Sequence, residues 1–426
     1  MTTTDEAATT APRHRGSRRV TWAGVLAVLA IFGPGLIAAN AGNDAGGIMT
    51  YASAGSQFGY RTLFLMVLIT VALVVVQEMC SRLGAYTGEG LGGLIREQFS
   101  ARSTTAALVL LLIANAGLTV SEFAGIGAAM EIFGVSIYAS IPFAALLVWL
   151  LTVAGTYSKA ERVFLILSLA FLAYPIAAIL AHPGAGQVAS NLLLPHFVRS
   201  HAFLVLAVAL VGTTITPYMQ FYLASAVVDK GVTPSTYPKE RVDSVSGSIW
   251  GDIISMFIII ATAAAIGGSG PLTSARQAAE ALVPAVGSLA PELFAFGLLG
   301  ASLLAASVVP LSTSYAVADA VGAPRSVTAP LRDAPLFYGL FTLQIVIGAG
   351  IALVPGNLVT LIINAQVLNG LITPMLLTYI LILAGRRTVL GNAVNGRWFR
   401  VVATICVAAV ATLSFVVLLE TVLGLG

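Results

Sequence analysis

Residues 33–55 read GPGLIAANAGNDAGGIMTYASAG, and the fold class is inferred from this segment. Asp44 lies in the middle of an apolar segment that is long enough to cross a membrane, and Gly46 and Gly47 follow it. An ionised carboxylate at the centre of a bilayer is costly and is usually kept for a partner. Glycine lets the backbone leave helical geometry, and the freed carbonyl groups then need a ligand or a cavity. We therefore predict a broken membrane-spanning helix; the alternative is an unbroken, glycine-packed helix with a protonated Asp44.

The composition of the whole chain indicates a membrane protein. Of its 426 residues, 58% are hydrophobic and 9% are charged, whereas a soluble domain has about 25% charged residues. The mean hydropathy is +0.94. Topology explains the net charge of +3, so we expect no nucleic-acid partner. The two cysteines and four histidines provide no disulfide framework and no metal-binding spacing, so we expect no cofactor.

Eleven stretches of the chain reach the length of about 20 apolar residues that a membrane-spanning helix needs. The predicted spans are 22–56, 60–82, 104–130, 137–156, 160–181, 202–228, 243–268, 291–318, 335–354, 357–384 and 399–424. All but three of the 21 Lys and Arg residues fall on one side of these spans; the exceptions are Arg61, Arg199 and Arg276. The positive-inside rule therefore predicts an inner (plasma) membrane protein with a cytoplasmic N-terminus and an external C-terminus.

The sixth span contains a second predicted break, in residues 211–225, VGTTITPYMQFYLAS. Pro217 has no N–H and clashes with the preceding turn, so the carbonyl groups near Thr213 lose their partners. Thr213 and Thr216 add hydroxyl oxygens beside those carbonyls. The alternative is a packing helix that is merely kinked at Pro217.

The spacing of the two breaks predicts an inverted repeat. They lie five spans apart, and because five is odd, the second five-helix unit enters the membrane from the opposite side. We predict a disordered cytoplasmic tail at 1–19 and a single transmembrane domain at 20–426. That domain comprises repeats at about 20–181 and 202–384 and an extra helix at 399–424. This is an all-α, LeuT-type fold in which the substrate site lies where the two breaks meet.

The side chains near the breaks favour a hard cation as the substrate. Asp44 contributes a carboxylate, and the tenth span adds Gln366 and Asn369, which share a helix face. Asp252 and Glu292 are placed near span ends, where snorkelling or structural pairing is expected. The chain has no Walker loop, dinucleotide fingerprint or nucleophile elbow, so we expect neither an enzyme nor an ATP-driven pump. A carrier for an organic solute on the same fold is a less favoured alternative. It would need a counter-charge for a carboxylate or a pocket for a side chain, and the spans have no central Lys or Arg. A membrane sensor would need a soluble output domain.

At these residues the sequence resembles the NRAMP family of divalent-metal transporters. The likeness includes the first span, QEMCSRLGAYTGEGLGGLIRE at 77–97, the break in the sixth span, and NAQVLNG at 364–370. The resemblance implies that Asp44 is the metal-binding carboxylate, that Thr213 contributes a carbonyl oxygen, and that Gln366 is a ligand. It also implies that Glu122 lies near the proton route.

The sequence departs from the family pattern at five positions. The family motif Asp-Pro-Gly-Asn is replaced at 44–47 by Asp-Ala-Gly-Gly, so the asparagine ligand becomes Gly47. The motif Met-Pro-His becomes Thr-Pro-Tyr, so Thr216 replaces the metal-binding methionine and Tyr218 replaces the histidine linked to proton movement. Thr119 replaces an aspartate in the third span. These changes resemble the branch of NRAMP-related magnesium transporters.

We therefore expect a carrier or facilitator that moves Mg²⁺, and also Mn²⁺, into the cytoplasm without an obligatory protein partner. Sulfur ligands favour soft metals, and their loss leaves oxygen ligands, which suit Mg²⁺. Asn40 and Asn43 are expected to hold waters of a partly hydrated ion. Glu122 alone makes a poor proton relay, which predicts uptake without proton coupling. The alternative is a proton-coupled Mn²⁺/Fe²⁺ carrier of the ordinary family type.

Overall fold

The computed structural model describes residues 43–153, 167, 169–324 and 331–424, and every regular element within these ranges is helical. The first helices in chain order are α1 (Ala45–Phe58), α2 (Leu63–Thr87), α3 (Leu91–Gln98), α4 (Ala101–Ile132), α5 (Ile137–Val153), α6 (Ala173–Leu180) and α7 (Ala185–Leu193). The next are α8 (His201–Thr214), α9 (Pro217–Asp229), α10 (Tyr237–Ile266), α11 (Ala275–Ala279), α12 (Val283–Val286) and α13 (Ala290–Val321). The last are α14 (Pro335–Ala352), α15 (Leu358–Gly385), α16 (Arg387–Leu390) and α17 (Arg397–Leu423).

The helices account for the predicted spans within the described part of the chain. Eight helical runs there are long and apolar enough to cross a membrane, and α5 is a shorter apolar helix. The tail at 1–19, Asn40 and parts of the first and fifth predicted spans lie outside the described residues. The seventh span starts earlier than predicted, because α10 already begins at Tyr237. Pro238 stands in its first turn, where the missing N–H of proline removes no hydrogen bond.

Two sets of packed helices position the site. α4 packs extensively against α13 and α15, and α1 packs against α10, α8, α15 and α4. The last turn of α8 and the start of α9 are separated by Ile215 and Thr216, which are not helical. The first turn of α1 and the α8–α9 junction are therefore both surrounded by other helices.

The outer surface of the helices carries large apolar side chains. On α5, Tyr138 and Phe143 are 61% and 68% exposed, and on α17, Phe415 is 63% exposed. Water would hydrate such surfaces poorly, whereas the hydrocarbon of a bilayer accommodates them. The fold is therefore that of a multi-pass membrane protein.

Candidate metal site

α1 begins directly after Asp44, which is almost fully buried and has an extended backbone (φ −70°, ψ −178°). The backbone N–H of Gly47 donates to Oδ1 of Asp44 at 2.7 Å, so this carboxylate caps the helix. Oδ2 of Asp44 is buried and has no hydrogen-bond partner within the described part of the chain. Gly46 and Gly47 lie inside α1. The expectation that these glycines form non-helical backbone is therefore wrong, since the helix already starts at Ala45.

Gly46 instead permits a close contact between helices. An ideal Cβ at Gly46 would lie 1.7 Å from Nε2 of Gln366, which belongs to α15. The same Nε2 donates to Oγ of Ser121 on α4 at 3.3 Å. Oε1 of Gln366 is buried and has no hydrogen-bond partner among the described residues. The Gln366 amide thus lies against the first turn of α1, beside Asp44, with its oxygen available to a ligand.

The second break provides oxygens from α8 and α9. Pro217 is the first residue of α9 and has no N–H, so it cannot donate to the carbonyl of Thr213 four residues earlier. Thr216 has an extended backbone (φ −65°, ψ 136°). The hydroxyl oxygens of Thr213 and Thr216 are fully buried and have no hydrogen-bond partner within the described ranges. The junction therefore offers hydroxyl and carbonyl oxygens but no charged group.

Direct contacts join α8 both to α15 and to α1. An ideal Cβ at Gly212 would lie 2.1 Å from the carbonyl oxygen of Gln366, so the two backbones touch. Nδ2 of Asn369 donates to the carbonyl oxygen of Gly212, which gives Asn369 an interhelical role. The hydroxyls of Tyr51 on α1 and Thr214 on α8 are hydrogen-bonded at 2.8 Å. These contacts bring Asp44, the α8–α9 junction and Gln366 into one region.

Glu122 lies next to Asp44 at the start of α1. Its Oε2 accepts a hydrogen bond from the backbone N–H of Ala45 at 3.2 Å, and its Oε1 is buried without a partner among the described residues. The N–H groups at a helix N-terminus favour anions. Glu122 therefore shares this helix terminus with Asp44, and the two carboxylates are close.

The charges around the breaks are unbalanced. Within the described ranges the buried carboxylates are those of Asp44, Glu78, Glu122, Glu240 and Asp252. Glu78 pairs with Arg82 at 3.1 Å, and Glu240 pairs with Lys230 at 3.2 Å. The other three have no Lys, Arg or His within ion-pair distance in the described part of the chain. Buried charge of one sign requires protons or cations to balance it.

No group of three or more His, Cys, Asp and Glu side chains in the described ranges could hold a metal ion. Cation binding at the breaks would therefore rely on one or two carboxylates together with amide, hydroxyl and carbonyl oxygens. Such ligands suit Mg²⁺, which commonly keeps several waters and binds through one or two carboxylates.

Two further residues named from the sequence have other contacts. Oδ1 of Asn43 accepts a hydrogen bond from Oγ of Ser255 on α10 at 3.1 Å. Tyr218 is fully buried in the first turn of α9, and its carbonyl oxygen accepts a hydrogen bond from Oγ of Ser312 on α13. Asn43 therefore lies beside Asp44 but faces α10, and the Tyr218 backbone is joined to α13.

The predicted position of Asp252 near a span end is wrong. It lies in the middle of α10 rather than near its end, and it is only 4% exposed. Its Oδ2 has no hydrogen-bond partner within the described ranges, so neither snorkelling nor ion pairing describes it. The available signal was Ser255, one turn later, which would have marked a polar face in the same helix.

Comparison with known proteins places the chain in a family. The family model described as natural resistance-associated macrophage protein-like (NRAMP) matches residues 35–420. Divalent metal cation transporter MntH 1 of Pseudomonas aeruginosa is 28% identical over 398 residues, which cover 88% of this chain and 88% of that protein. Divalent metal cation transporter MntH of Bacillus subtilis is 25% identical over 421 residues, which cover 93% of this chain and 94% of that protein. These relatives are named as transporters, not as enzymes.

Solved structures have the same fold. A mutant of the manganese transporter of Eremococcus coleocola has a TM-score of 0.73 at 20% identity, covering 92% of this chain and 86% of that one. MhsT, solved in complex with L-phenylalanine, has a TM-score of 0.55 at 14% identity, and the match covers 91% of this chain and 98% of that one. These similarities confirm the predicted all-α, LeuT-type fold class.

Proposed function

Because the chain belongs to the NRAMP family, we propose that it is a secondary transporter or facilitator that moves divalent cations by alternating access. The observation that carries this proposal is a set of buried oxygens without hydrogen-bond partners among the described residues, located directly before α1, on α8, at the α8–α9 junction and on α15. Those oxygens belong to Asp44, Thr213, Thr216 and Gln366. Asp44 supplies the charged ligand, and the other three complete an oxygen-rich, partly water-mediated site. Relatives named as divalent metal cation transporters support the same substrate class.

We infer that Mg²⁺ is the preferred ion and that Mn²⁺ is also carried. Thr216 offers a hydroxyl oxygen at the α8–α9 junction, and the nearby sulfur of Met219 accepts a hydrogen bond from Nε2 of Gln77 at 2.9 Å. A sulfur directed at α2 does not offer the junction a soft ligand. Oxygen ligands alone favour hard cations such as Mg²⁺. Gly47 has no side chain, which leaves space for the waters that Mg²⁺ retains.

We infer that uptake is driven by voltage and is not coupled to protons. Tyr218 and Thr119 are poor proton carriers at neutral pH, which leaves Glu122 as the carboxyl group next to Asp44. A divalent cation gains about 4.6 kcal/mol per 100 mV, from roughly 2.3 kcal/mol for each charge. That energy corresponds to a concentration ratio of more than about a thousandfold, so accumulation does not require protons.

The proposed topology is an inner-membrane protein with its N-terminus in the cytoplasm and its C-terminus outside. The repeats are 20–181 and 202–384, and 399–424 is the additional helix. Two ion pairs, Glu78–Arg82 and Lys230–Glu240, lie at helix ends on the side rich in basic residues. Their position supports this side as the cytoplasmic one.

A proton-coupled manganese carrier is the second candidate function, and the position of Glu122 favours it. A carboxylate that accepts from the N–H of Ala45 is close enough to Asp44 to respond to a bound cation. The likeness to a structure named as a manganese transporter agrees with this alternative.

The test is cation flux into liposomes that contain the purified full-length protein. We expect uptake of Mg²⁺ and Mn²⁺ under an inside-negative voltage and its loss in Asp44→Ala. Glu292→Ala, at an exposed position in the first turn of α13, is the control and should transport normally. Normal transport by Asp44→Ala would remove Asp44 from the site and contradict the proposal.

A further inference from the structure

Asp252 differs from the other acidic side chains of α10. Glu240 and Asp243 lie near the start of this helix, at 3.2 Å and 3.9 Å from Nζ of Lys230. Asp252 lies three turns further along, is only 4% exposed, and has no basic partner within the described ranges. Its Oδ2 accepts no hydrogen bond from any described residue. Among the described residues, no basic group therefore balances the charge of Asp252.

The neighbours of Asp252 on α10 form hydrogen bonds to the segment before α1 and to α2. Ser255, one turn later, donates to Oδ1 of Asn43 at 3.1 Å, directly before α1. Ser248, one turn earlier, donates to Oε1 of Gln77 on α2 at 2.9 Å. Residues spaced by three and four positions share a helix face, so Asp252 lies on the face that contacts α1 and α2. It is therefore enclosed between two interhelical hydrogen bonds.

Asn43 places Asp252 near the proposed substrate site. Asn43 directly precedes Asp44 in the chain, and its Oδ1 accepts a hydrogen bond from Ser255, one turn after Asp252 on α10. Asp252 therefore lies one helical turn from a residue in direct contact with the segment that carries Asp44.

We propose that Asp252 forms a second cation-binding position, which holds a partly hydrated divalent cation through Oδ2 and the oxygen-bearing side chains of Asn43 and Ser255. An isolated carboxylate is costly in a low-dielectric interior, and a cation offsets this cost. Water completes the coordination of an ion at this position, since Mg²⁺ commonly keeps several waters. This inference rests on the proposed function, because the ion exchanges between Asp252 and the Asp44 site during transport.

The test measures Mn²⁺ binding to the purified full-length protein from the loss of the electron paramagnetic resonance signal of free aqueous Mn²⁺. In the Asp44→Ala background, we expect the protein still to bind Mn²⁺. Adding Asp252→Asn should abolish that binding or weaken it by about tenfold or more, as expected for losing a charged ligand. Asp252→Glu keeps the charge and should retain binding. Asp243→Asn, which removes a carboxylate paired with Lys230 on the same helix, is the matched control and should leave binding unchanged.

The outcomes separate this inference from the proposed function. Wild-type protein that neither binds nor transports Mn²⁺ would refute the proposed function. A wild-type protein that transports Mn²⁺, together with an Asp44→Ala variant that binds none, would overturn only the second position. This second result does not depend on whether any Asp252 variant folds. Equal Mn²⁺ affinity in Asp44→Ala and in Asp44→Ala with Asp252→Asn would also overturn it.

Discussion

Replacing Gly46 by alanine tests directly whether Gln366 is a ligand. The new Cβ would lie 1.7 Å from Nε2 and 2.5 Å from Cδ of Gln366, and real Cβ atoms essentially never come within 3.0 Å of another heavy atom. The obstructing atoms are the end of a flexible side chain rather than backbone. The amide therefore has to move by on the order of 1.5 Å to restore ordinary contact distances, while α1 and α15 remain in place.

The expected effects on stability and on transport differ in size. Alanine stabilises the middle of a helix by about 0.5–1 kcal/mol relative to glycine, which is an upper limit for Gly46 in the first turn of α1. Loss of the hydrogen bond between Gln366 and Ser121 costs about 0.5–1.5 kcal/mol, so the two changes nearly offset each other. Moving a ligand away from a charged ion costs about 1.5–3 kcal/mol. We therefore expect a folded Gly46→Ala protein whose KM for Mn²⁺ rises by about 10- to 100-fold.

The assay is Mn²⁺ uptake into liposomes as a function of concentration, with thermal unfolding as the measure of folding. Gly339→Ala on α14 is the control, because a Cβ there meets no heavy atom within 4 Å. Gly46→Ala should add little to the effect of Gln366→Ala, since both remove the same ligand. A Gly46→Ala protein with the KM of the wild type would refute the assignment of Gln366 to the ion site.

Three further predictions concern selectivity, coupling and packing. Thr216→Met combined with Gly47→Asn should shift the preference in competitive uptake from Mg²⁺ toward Mn²⁺ or Cd²⁺, because the double variant adds a sulfur ligand and a larger side chain. An unchanged ion ranking would contradict the proposed site. Mg²⁺ uptake should leave the pH of the liposome lumen constant, and an acidification that disappears in Glu122→Gln would show proton coupling instead. Gly212→Ala should lower the free energy of unfolding by about 1–3 kcal/mol, because the new Cβ meets backbone that cannot yield; an unchanged melting temperature would contradict the close contact of α8 and α15.

Local chemistry explains why much of the fold was predictable. A helix that crosses a bilayer must be apolar over about 20 residues, because its surroundings are hydrocarbon. The described helices agree with the predicted apolar stretches. Pro217 cannot donate a hydrogen bond in any conformation, so a break before α9 was predictable from one residue type. The polarity of Asp44 within an apolar segment likewise indicated a special position before any contact was known.

The surroundings of these residues depend on chain segments that are distant in sequence. The hydrogen bond from Ala45 to Glu122 joins residues 77 positions apart, and that from Ser255 to Asn43 joins residues 212 apart. No periodic pattern in one segment specifies such pairs. Gly46 is a similar case. It is helical, and glycine is needed there because the side chain of Gln366 packs against this part of α1.

The membrane environment, the all-α class and the junction at Pro217 follow from local polarity or covalent structure, so they are predictable from the residues alone. Which polar groups meet depends on how the helices pack, and Asp252 is the clearest example. Hydropathy placed it near the start of a span at 243, because the charged residues before that point lowered the apolar signal. The helix in fact begins at Tyr237, and it packs against α1 and α2. Asp252 is buried in this helix one turn from Ser255, which contacts Asn43. The burial of a side chain depends on the helices that surround it, so the hydropathy of one helix does not determine it.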